Sequence, residues 1–480
     1  AVLQCSIDNL SVIPSNIELV AGEMAMMGRL EATQDQLFYD FRFEAFVAAD
    51  HLVRRIDAAL DLTWLRAELK PFYSVEGRPS IDPELMIRML LLGYCFGIRS
   101  ERRLCAEVKV NLAYRWFCGL GLDGAVPDHS TFSKNRHGRF RDSDLFRRVF
   151  ERVVATCIEA GLVEGEAFAV DSSIIDAVAS PYKPEDSSEV TFDRTDAKQM
   201  TRPVREYLAV LDAANASENP DDWITPQKKI ARSDPAAGWT TRGRSQVAFA
   251  YATNYLLDTG EAGIIMDVAA SPASLKREVD TVPVMIERTD ARFGLRPKTL
   301  IGDTAYGAGR MVGWLVRNAI TPHVPVRESA NKGEGIIPES AFSFDTGCDD
   351  YTCPEGKRLT STGHVYNRRI SYRASKFDCE MCTLKSNCCP TQPYRKLTRD
   401  VDEAARDVAR ALAGSEAFEH SRRLRKKVEV RFAHLKTIVG LRRLRLRGLS
   451  GAHDEMTLAA TAQNLRKLAR SNITARKRAA

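Results

Sequence analysis

Three acidic residues stand in three different settings. Asp171, in AFAVDSSIIDA, lies inside a short β-branched and apolar run that reads as a buried strand. Asp303, in KTLIGDTAYGAG, ends a second such run just before Gly307, where a strand would turn into a helix. Carboxylates in such places cost free energy unless something pairs with them. Glu429 is the one acid among eleven Lys and Arg residues between positions 421 and 447. Three hard oxygen ligands on three separate elements suit a pair of Mg²⁺ (or Mn²⁺) ions, which activate a water or hydroxyl for attack on a phosphodiester. A basic helix bearing the third ligand places nucleic acid beside it. The chemistry expected of these residues is metal-dependent cutting of DNA.

Helical geometry sharpens the third position. At ~100° per residue, Leu424, Val428, Phe432, Leu435 and Val439 form one apolar stripe. Arg422, Arg425, Glu429 and Lys436 fall on the adjoining stripe, within ~60° of one another. A helix docked through the first stripe would hold Glu429 at the rim of a sheet, between cations able to contact phosphate. A solvated amphipathic helix would have the same composition, but not the two matching Asp residues. Two other acids compete. Asp176 shares the run of Asp171 at an odd offset, which puts it on the opposite face of a strand, and the run before Asp171 is the more apolar. Glu455 is expected in the first turn of the helix DEMTLAATAQNLRKL, where the helix dipole explains an acid without chemistry.

The cysteines divide into two groups. Cys5, Cys95, Cys105, Cys118 and Cys157 are scattered among apolar residues and read as small buried hydrophobes. Six more fall between positions 348 and 389. TCPEGK at Cys353 and DCEMCTLKSNCC from Cys379 offer a Pro/Gly turn, a C-x2-C pair and two further thiols. In a large chain without a recognisable secretory signal that pattern favours structural Zn²⁺ over disulfides. The ligands would be Cys353, Cys379, Cys382 and either Cys388 or Cys389, with Cys348 a bystander. A reduced, metal-free loop is the alternative.

These residues need elements to position them. In SIDPELMIRMLLLGYCFG, Pro83 marks a helix start and Gly97 its end; short helices follow in SERRLCAEV and NLAYRWFCGLG. PDHSTFSKNRHGR comes next, with Asp128 as the expected cap. The succession resembles a helix-turn-helix module with Ser130, Lys134 and His137 on one face of its last helix; a bundle that only braces a catalytic domain fits the same pattern. After Asp171, a polar stretch of about residues 180–244 precedes the strands SQVAFAYATNYLLD and GIIMDVAA, a helix over about 274–293, the Asp303 strand and the helix GRMVGWLVRNAI. Strands followed by alternation with helices predict a mixed α/β sheet. The division expected is a poorly ordered extension at 1–26, a helical DNA-binding domain at 27–150, a catalytic core at 160–330, a Cys-rich insertion at 331–400 that is zinc-ribbon-like, the core's last helices at 401–472 and a basic tail at 473–480.

FAVDSS, GDTAYG and the spacing of Arg425, Glu429 and Lys436 resemble the DDE transposases of bacterial insertion sequences. GRPSIDPELMIRMLLLGYCFGIRSERRL, VPDHSTFSKNRHGR and RGLSGAHDEMTLAATAQNLRKL are similar to the flanking blocks of that family, so the resemblance runs from about residue 27 to 468. It implies an RNase H-like α/β fold in which Asp171, Asp303 and Glu429 bind the catalytic metals. It also implies strand cleavage at the terminal inverted repeats and transfer of the 3′-OH to target DNA. One departure stands out: the family signature has a Tyr three residues before the Arg, and here Arg422 holds that place. The carboxylates carry over; a role for that position does not.

Composition agrees with a DNA-binding globular protein. The net charge of +6 is modest, but six Lys and Arg against no acid in residues 466–480 repeat the clustering of 421–447. Arg442, Arg443 and Arg447 join the expected DNA contacts. The longest apolar stretch, broken by Arg88, is short of the ~20 residues a membrane span needs. A bacterial cytoplasmic location, double-stranded DNA as partner and a homodimer on DNA follow as expectations. The rival reading is an inactive relative that binds DNA as a zinc-containing helix-turn-helix regulator.

Overall fold

In the computed structural model of the chain, which describes residues 3–4, 11–12, 42–73, 76, 80–194, 200–216, 227–242, 246–326, 335–366 and 368–471, the run around Asp171 is β1 (Ala167–Asp176). Its apolar residues Phe168, Ala169, Val170 and Ile175 are buried, which commits the strand to the middle of a sheet. Along one edge it pairs antiparallel with β3 (Gln246–Asp258), in register from Phe168 opposite Asp258 to Asp176 opposite Ala250. Along the other it pairs in parallel with β5 (Thr299–Ile301), which in turn pairs in parallel with β6 (Thr321–His323). The far edge of β3 carries β2 (Gly238–Arg242) and then β4 (Ile265–Pro272), both antiparallel. Parallel neighbours need crossovers, and two helices supply them: α9 (Leu275–Phe293) before β5 and α10 (Gly309–Arg317) between β5 and β6. The polar stretch after β1 contributes β2 to this sheet and holds α8 (Arg202–Ala216).

The sheet is closed by α15 (Gly448–Leu468), buried along nearly its whole length as a core helix must be. Asn464 Nδ2 donates to the Ile265 carbonyl at 2.8 Å and its Oδ1 accepts from Ile265 N–H at 3.0 Å, so the outer edge of β4 is satisfied by a side chain. The place expected for Glu455 needs correcting. The helix starts at Gly448, so Glu455 is well inside it and the dipole of a first turn does not explain it. Its carboxylate is fully buried, accepting Arg445 and Leu446 N–H at 2.6 Å each and pairing with Arg99.

The N-terminal helices join the same apolar core. They comprise α1 (Leu52–Ala59), α2 (Leu65–Leu69), α3 (Pro83–Cys95), α4 (Glu101–Val110), α5 (Leu112–Phe117), α6 (His129–His137) and α7 (Leu145–Glu159). Asp82 caps α3 through Glu84 N–H at 2.9 Å with Pro83 at its first position, and Gly97 takes a left-handed φ of 69° beyond its end. Asp128 caps α6 through Ser130 N–H at 2.8 Å, as the sequence predicts.

The Cys-rich segment has its own core. An antiparallel meander runs through β7 (Ser343–Asp345), β8 (Asp350–Thr352), β9 (Arg358–Tyr366), β10 (Arg369–Ala374) and β11 (Lys396–Asp400). It packs Tyr351, Leu359, Tyr372 and Leu397 against Cys379, Cys388 and Cys389, the last three borne by or flanking the short helices α11 (Lys376–Glu380) and α12 (Lys385–Cys388). Then come α13 (Glu403–Leu412) and α14 (Glu416–Thr437), the helix of Glu429. Residues 1–46 cluster apart from 47–480. Within them are a Leu3–Gln4 and Ser11–Val12 strand pair and a helical turn at Phe43–Phe46. The expected extension at 1–26 otherwise lies outside the described residues, as do Cys5 and the tail at 473–480. No helix among the described residues is long and apolar enough to cross a membrane.

Candidate active site

Register puts the two aspartates at one level. Ala169 of β1 is opposite Ile301, the last residue of β5. Asp171 and Asp303 each follow two residues later, on adjacent parallel chains. Asp171 Oδ1 accepts Ser172 N–H at 2.8 Å. Asp303 caps the turn Thr304–Gly307 by accepting Ala305 N–H on Oδ1, also at 2.8 Å. One oxygen of each is therefore fixed by a neighbouring amide.

Glu429 arrives from a helix anchored independently of it. Val428, Phe432 and Leu435 are buried, as the apolar stripe predicts, and Phe432 stacks on Tyr255 of β3 at 4.8 Å. Lys427 Nζ donates to the carbonyls of Thr259 and Gly260 at 2.6 and 2.9 Å, and Arg431 Nε to Gly263 O at 2.9 Å. Ser421 meets His323 of β6 at 2.6 Å. Two of the cations that make this stretch so basic thus brace the helix on the β3–β4 turn. Glu429 is on the open side, its side chain 56% exposed, in an ion pair with Arg425 at 3.3 Å.

The three acids feel one another. The Asp171 carboxyl is pushed up to about 6, chiefly by burial and with the charges of Asp303 and Glu429 adding to it, against the Ser172 amide and Arg425, which lower it. Repulsion among acids gathered from three elements is relieved by a cation, and an all-oxygen donor set fits a hard divalent one. Among the described residues, no three His, Cys, Asp or Glu side chains are grouped closely enough to hold a metal ion as they stand.

Sequence reasoning missed a second layer behind Asp171. The Ser172 hydroxyl donates to Glu278 Oε2 of α9 at 2.5 Å, and the buried Tyr306 hydroxyl shares a hydrogen bond with Ser172. Burial first, then the charges of Asp171, Glu278 and Asp303, hold the Tyr306 hydroxyl well above its ordinary range. Tyr306 belongs to GDTAYG and was there to be found; Glu278 is one acid in an ordinary amphipathic helix and carries no local signal.

The remaining expected site residues fall into separate groups. Cys353, Cys379, Cys382, Cys388 and Cys389 all line one small cavity of about 20 Å³, while Cys348 is exposed and outside it. Cys353 Sγ accepts Lys357 N–H at 3.3 Å. Burial and the neighbouring cysteines raise the thiols of Cys388 and Cys389, the latter to about 11. Cys95, Cys105, Cys118 and Cys157 are buried, as expected of small hydrophobes. Ser130, Lys134 and His137 are exposed along α6. Arg422 and Arg425 lie on α14, where Arg422 pairs with Glu419 at 3.0 Å, and Lys436 is in its last turn. Arg442, Arg443 and Arg447 belong to an extended segment beyond α14. That segment runs beside the end of β1, through a bridge between Asp176 and Arg443.

Two comparisons with protein families match this chain. A transposase domain (DUF772) model covers residues 41–138, the helical region that ends with α6. A transposase DDE domain model covers residues 352–469, from the Cys-rich meander through Glu429 to the end of α15. Asp171 and Asp303 lie between the two matches, on the strands that the second matched segment covers and closes. With Asp171 and Asp303 at one level of the sheet and both flanking regions matched to transposase domains, the chain belongs to the DDE transposases of insertion elements.

Proposed function

We propose that this transposase binds the terminal inverted repeats of its element, cleaves DNA strands at the ends and joins the freed 3′-OH to target DNA. The observation that carries the reading is the convergence of Asp171, Asp303 and Glu429 from a strand, a strand end and a helix, close enough for their charges to raise Asp171 together. The strand order β4–β3–β1–β5–β6, antiparallel on one side of β1 and parallel on the other, supports an RNase H-like core for residues 160–330 and 401–472. Residues 27–150 are the helical DNA-binding domain in this reading.

The three carboxylates would hold two Mg²⁺ (or Mn²⁺) ions, which when bound supply an activated hydroxyl and stabilise the leaving 3′ oxygen. The chain's own contribution is positional. Ser172 and Ala305 amides fix one oxygen of each aspartate, and the other would be available to a metal ion. Arg425 neutralises Glu429 before loading and is then released beside the site, where a phosphate can take it. The Ser172–Glu278–Tyr306 layer holds β1 against α9 behind the reacting face. In the Cys-rich unit, the thiols of Cys353, Cys379 and Cys382, with Cys388 or Cys389, would hold one Zn²⁺; the cavity they line is the size of a single small sphere. The rival reading as a non-cutting regulator draws no support from either matched domain.

The test is cleavage of a duplex carrying the element's own end. Asp171→Asn, Asp303→Asn and Glu429→Gln each remove a charged ligand at nearly constant volume. Each should lower Mg²⁺-dependent cleavage by at least about 100-fold, the scale of several kcal/mol, with DNA affinity retained. Near wild-type cutting by any of them would remove that residue from the site.

A further inference from the structure

A cavity of about 900 Å³ opens between α6, α8 and the extended segment after α14. Its wall carries His137, Arg141, Arg202, Arg232, Arg445 and Arg447, and among the described residues Asp193 is the one acid lining it. Three of the arginines already meet carboxylates. Arg141 pairs with Asp454 at 2.8 Å, Arg202 with Glu206 at 2.8 Å and Asp142 at 3.0 Å, and Arg232 with Glu185 at 2.7 Å. Arg445 and Arg447 form no ion pair among the described residues, although the charge of Arg447 reaches the buried Asp234, and both are exposed. They leave the cavity cationic and concave, a shape that concentrates field and attracts anions.

The segment that presents them is rigid. Leu444 and Leu446 are 2% and 4% exposed and alternate with the exposed arginines, the period of extended backbone. Glu455, buried in α15, accepts the N–H groups of Arg445 and Leu446 together. Leu444 N–H donates to Asp176 O at 2.8 Å, Asp176 N–H to Arg442 O at 3.2 Å, and Arg447 Nε to Val178 O at 3.2 Å. The arginines are thereby tied to β1, the strand of Asp171. Five residues of strand separate Asp171 from Asp176, about 17 Å at ~3.4 Å per residue. Arg447 reaches Val178, two residues past Asp176, and DNA rises about 3.4 Å per nucleotide along one strand, so the span to the arginines holds about five nucleotides or more.

We propose that this cavity is a second DNA-backbone site, taking phosphates about five or more nucleotides from the one at the carboxylates, with Arg445 and Arg447 as its contacts. It rests on the proposed reading of Asp171, Asp303 and Glu429 for its distance from the chemistry. It gives a use to the polar stretch after β1, since α8 and Arg232 form one wall. It also gives a use to Glu455, which sets the arginine backbone. His137 continues the cavity onto the exposed face of α6 that bears Ser130 and Lys134.

The experiment measures affinity of the full-length protein for a labelled duplex carrying one terminal repeat, by anisotropy without divalent ion, from about 50 to 200 mM salt. The double variant Arg445→Ala/Arg447→Ala should lower affinity and make the log–log salt slope shallower by about 1.8, two phosphates at ~0.9 each. Arg445→Lys/Arg447→Lys, which keeps the charges but not the Val178 contact, should keep the wild-type slope. An unchanged slope in the alanine pair would overturn the site. Should the alanine pair melt early, Arg445→Gln/Arg447→Gln decides, since it removes both charges and keeps most of the side-chain volume: a slope shallower by about 1.8 supports the site, and a wild-type slope overturns it. Cleavage by Asp171→Asn is assayed in parallel. Loss of cutting there with an unchanged slope here sinks the cavity alone; retained cutting with a shallower slope sinks the catalytic reading and leaves the cavity standing.

Discussion

Asp171 and Asp303 each have one oxygen held by a neighbouring amide, whereas the half-exposed Glu429 is held by an ion pair with Arg425, and that difference separates two backbone-anchored acids from one that is not. A different residue sets the acid limit of the fold. His453 of α15 is buried, with Nε2 at 2.9 Å from Arg147, and Arg147 and Arg288 both bond Asp267, at 2.5 and 2.7 Å. Burial first, then the charges of Arg147 and Arg288, hold the imidazole down to about 3. The folded chain therefore refuses a proton that the unfolded chain accepts below its ordinary value near 6.5. This contribution to stability is intact above ~6.5 and falls as pH drops from there toward 3, by up to about 1.4 kcal/mol per unit. His453→Gln, which keeps an acceptor for Arg147 without a titrating ring, should lose about 2 kcal/mol less than wild type between pH 6.5 and 5. Urea midpoints at the two pH values measure it, and equal losses would refute the assignment.

At the scale of elements, the Cys-rich meander is the part whose stability is separable. Its core of Tyr351, Leu359, Tyr372 and Leu397 is distinct from the core that joins the sheet to the N-terminal helices. The thiols crowd the buried end of that small core, where a tetrahedral ion would close α11 and α12 onto the β8–β9 turn. One Zn²⁺ per chain is expected in protein purified under reducing conditions. Cys379→Ser combined with Cys382→Ser should lose it and raise amide exchange in the meander while sparing β1 and β3, because thiolate ligation stabilises the local fold. Metal analysis finding no zinc in the reduced wild-type protein would end the idea. Helix α14 shows the opposite arrangement: Lys427, Arg431 and Phe432 fasten it to the β3–β4 turn, so Glu429 is presented by a helix held from its far side.

At the scale of the whole molecule, the proposed reaction has two element ends to cut and join, so the active species proposed is two chains or more. A two-fold arrangement in which each chain presents its basic face to one end is the simplest closed solution. The excess of basic residues in 421–447, eleven Lys and Arg against one acid, makes those faces repel until phosphate neutralises them. Free protein should therefore size as a monomer and its complex with a terminal-repeat duplex as a dimer, by light scattering. A complex of one chain with one duplex that completes strand transfer would rule this out.

What the sequence determined by itself is what local physics decides. Asp128 and Pro83 mark helix starts because caps and φ restriction act within a turn, and the apolar stripe of α14 is legible because helical period alone predicts which side is buried. Asp171 and Asp303 could be singled out because a carboxylate in an apolar run has a cost that demands a reason. The tertiary structure decided everything that depends on partners far along the chain. It placed the two aspartates at one level through the β1–β5 register, and turned Glu455 from a helix-end acid into the anchor of Arg445 and Leu446. It separated Lys427 and Arg431, spent on backbone carbonyls, from Arg445 and Arg447, which face a cavity. Charge and period are properties of a segment, whereas burial, pairing and proximity belong to contacts between segments, and only the folded chain makes those.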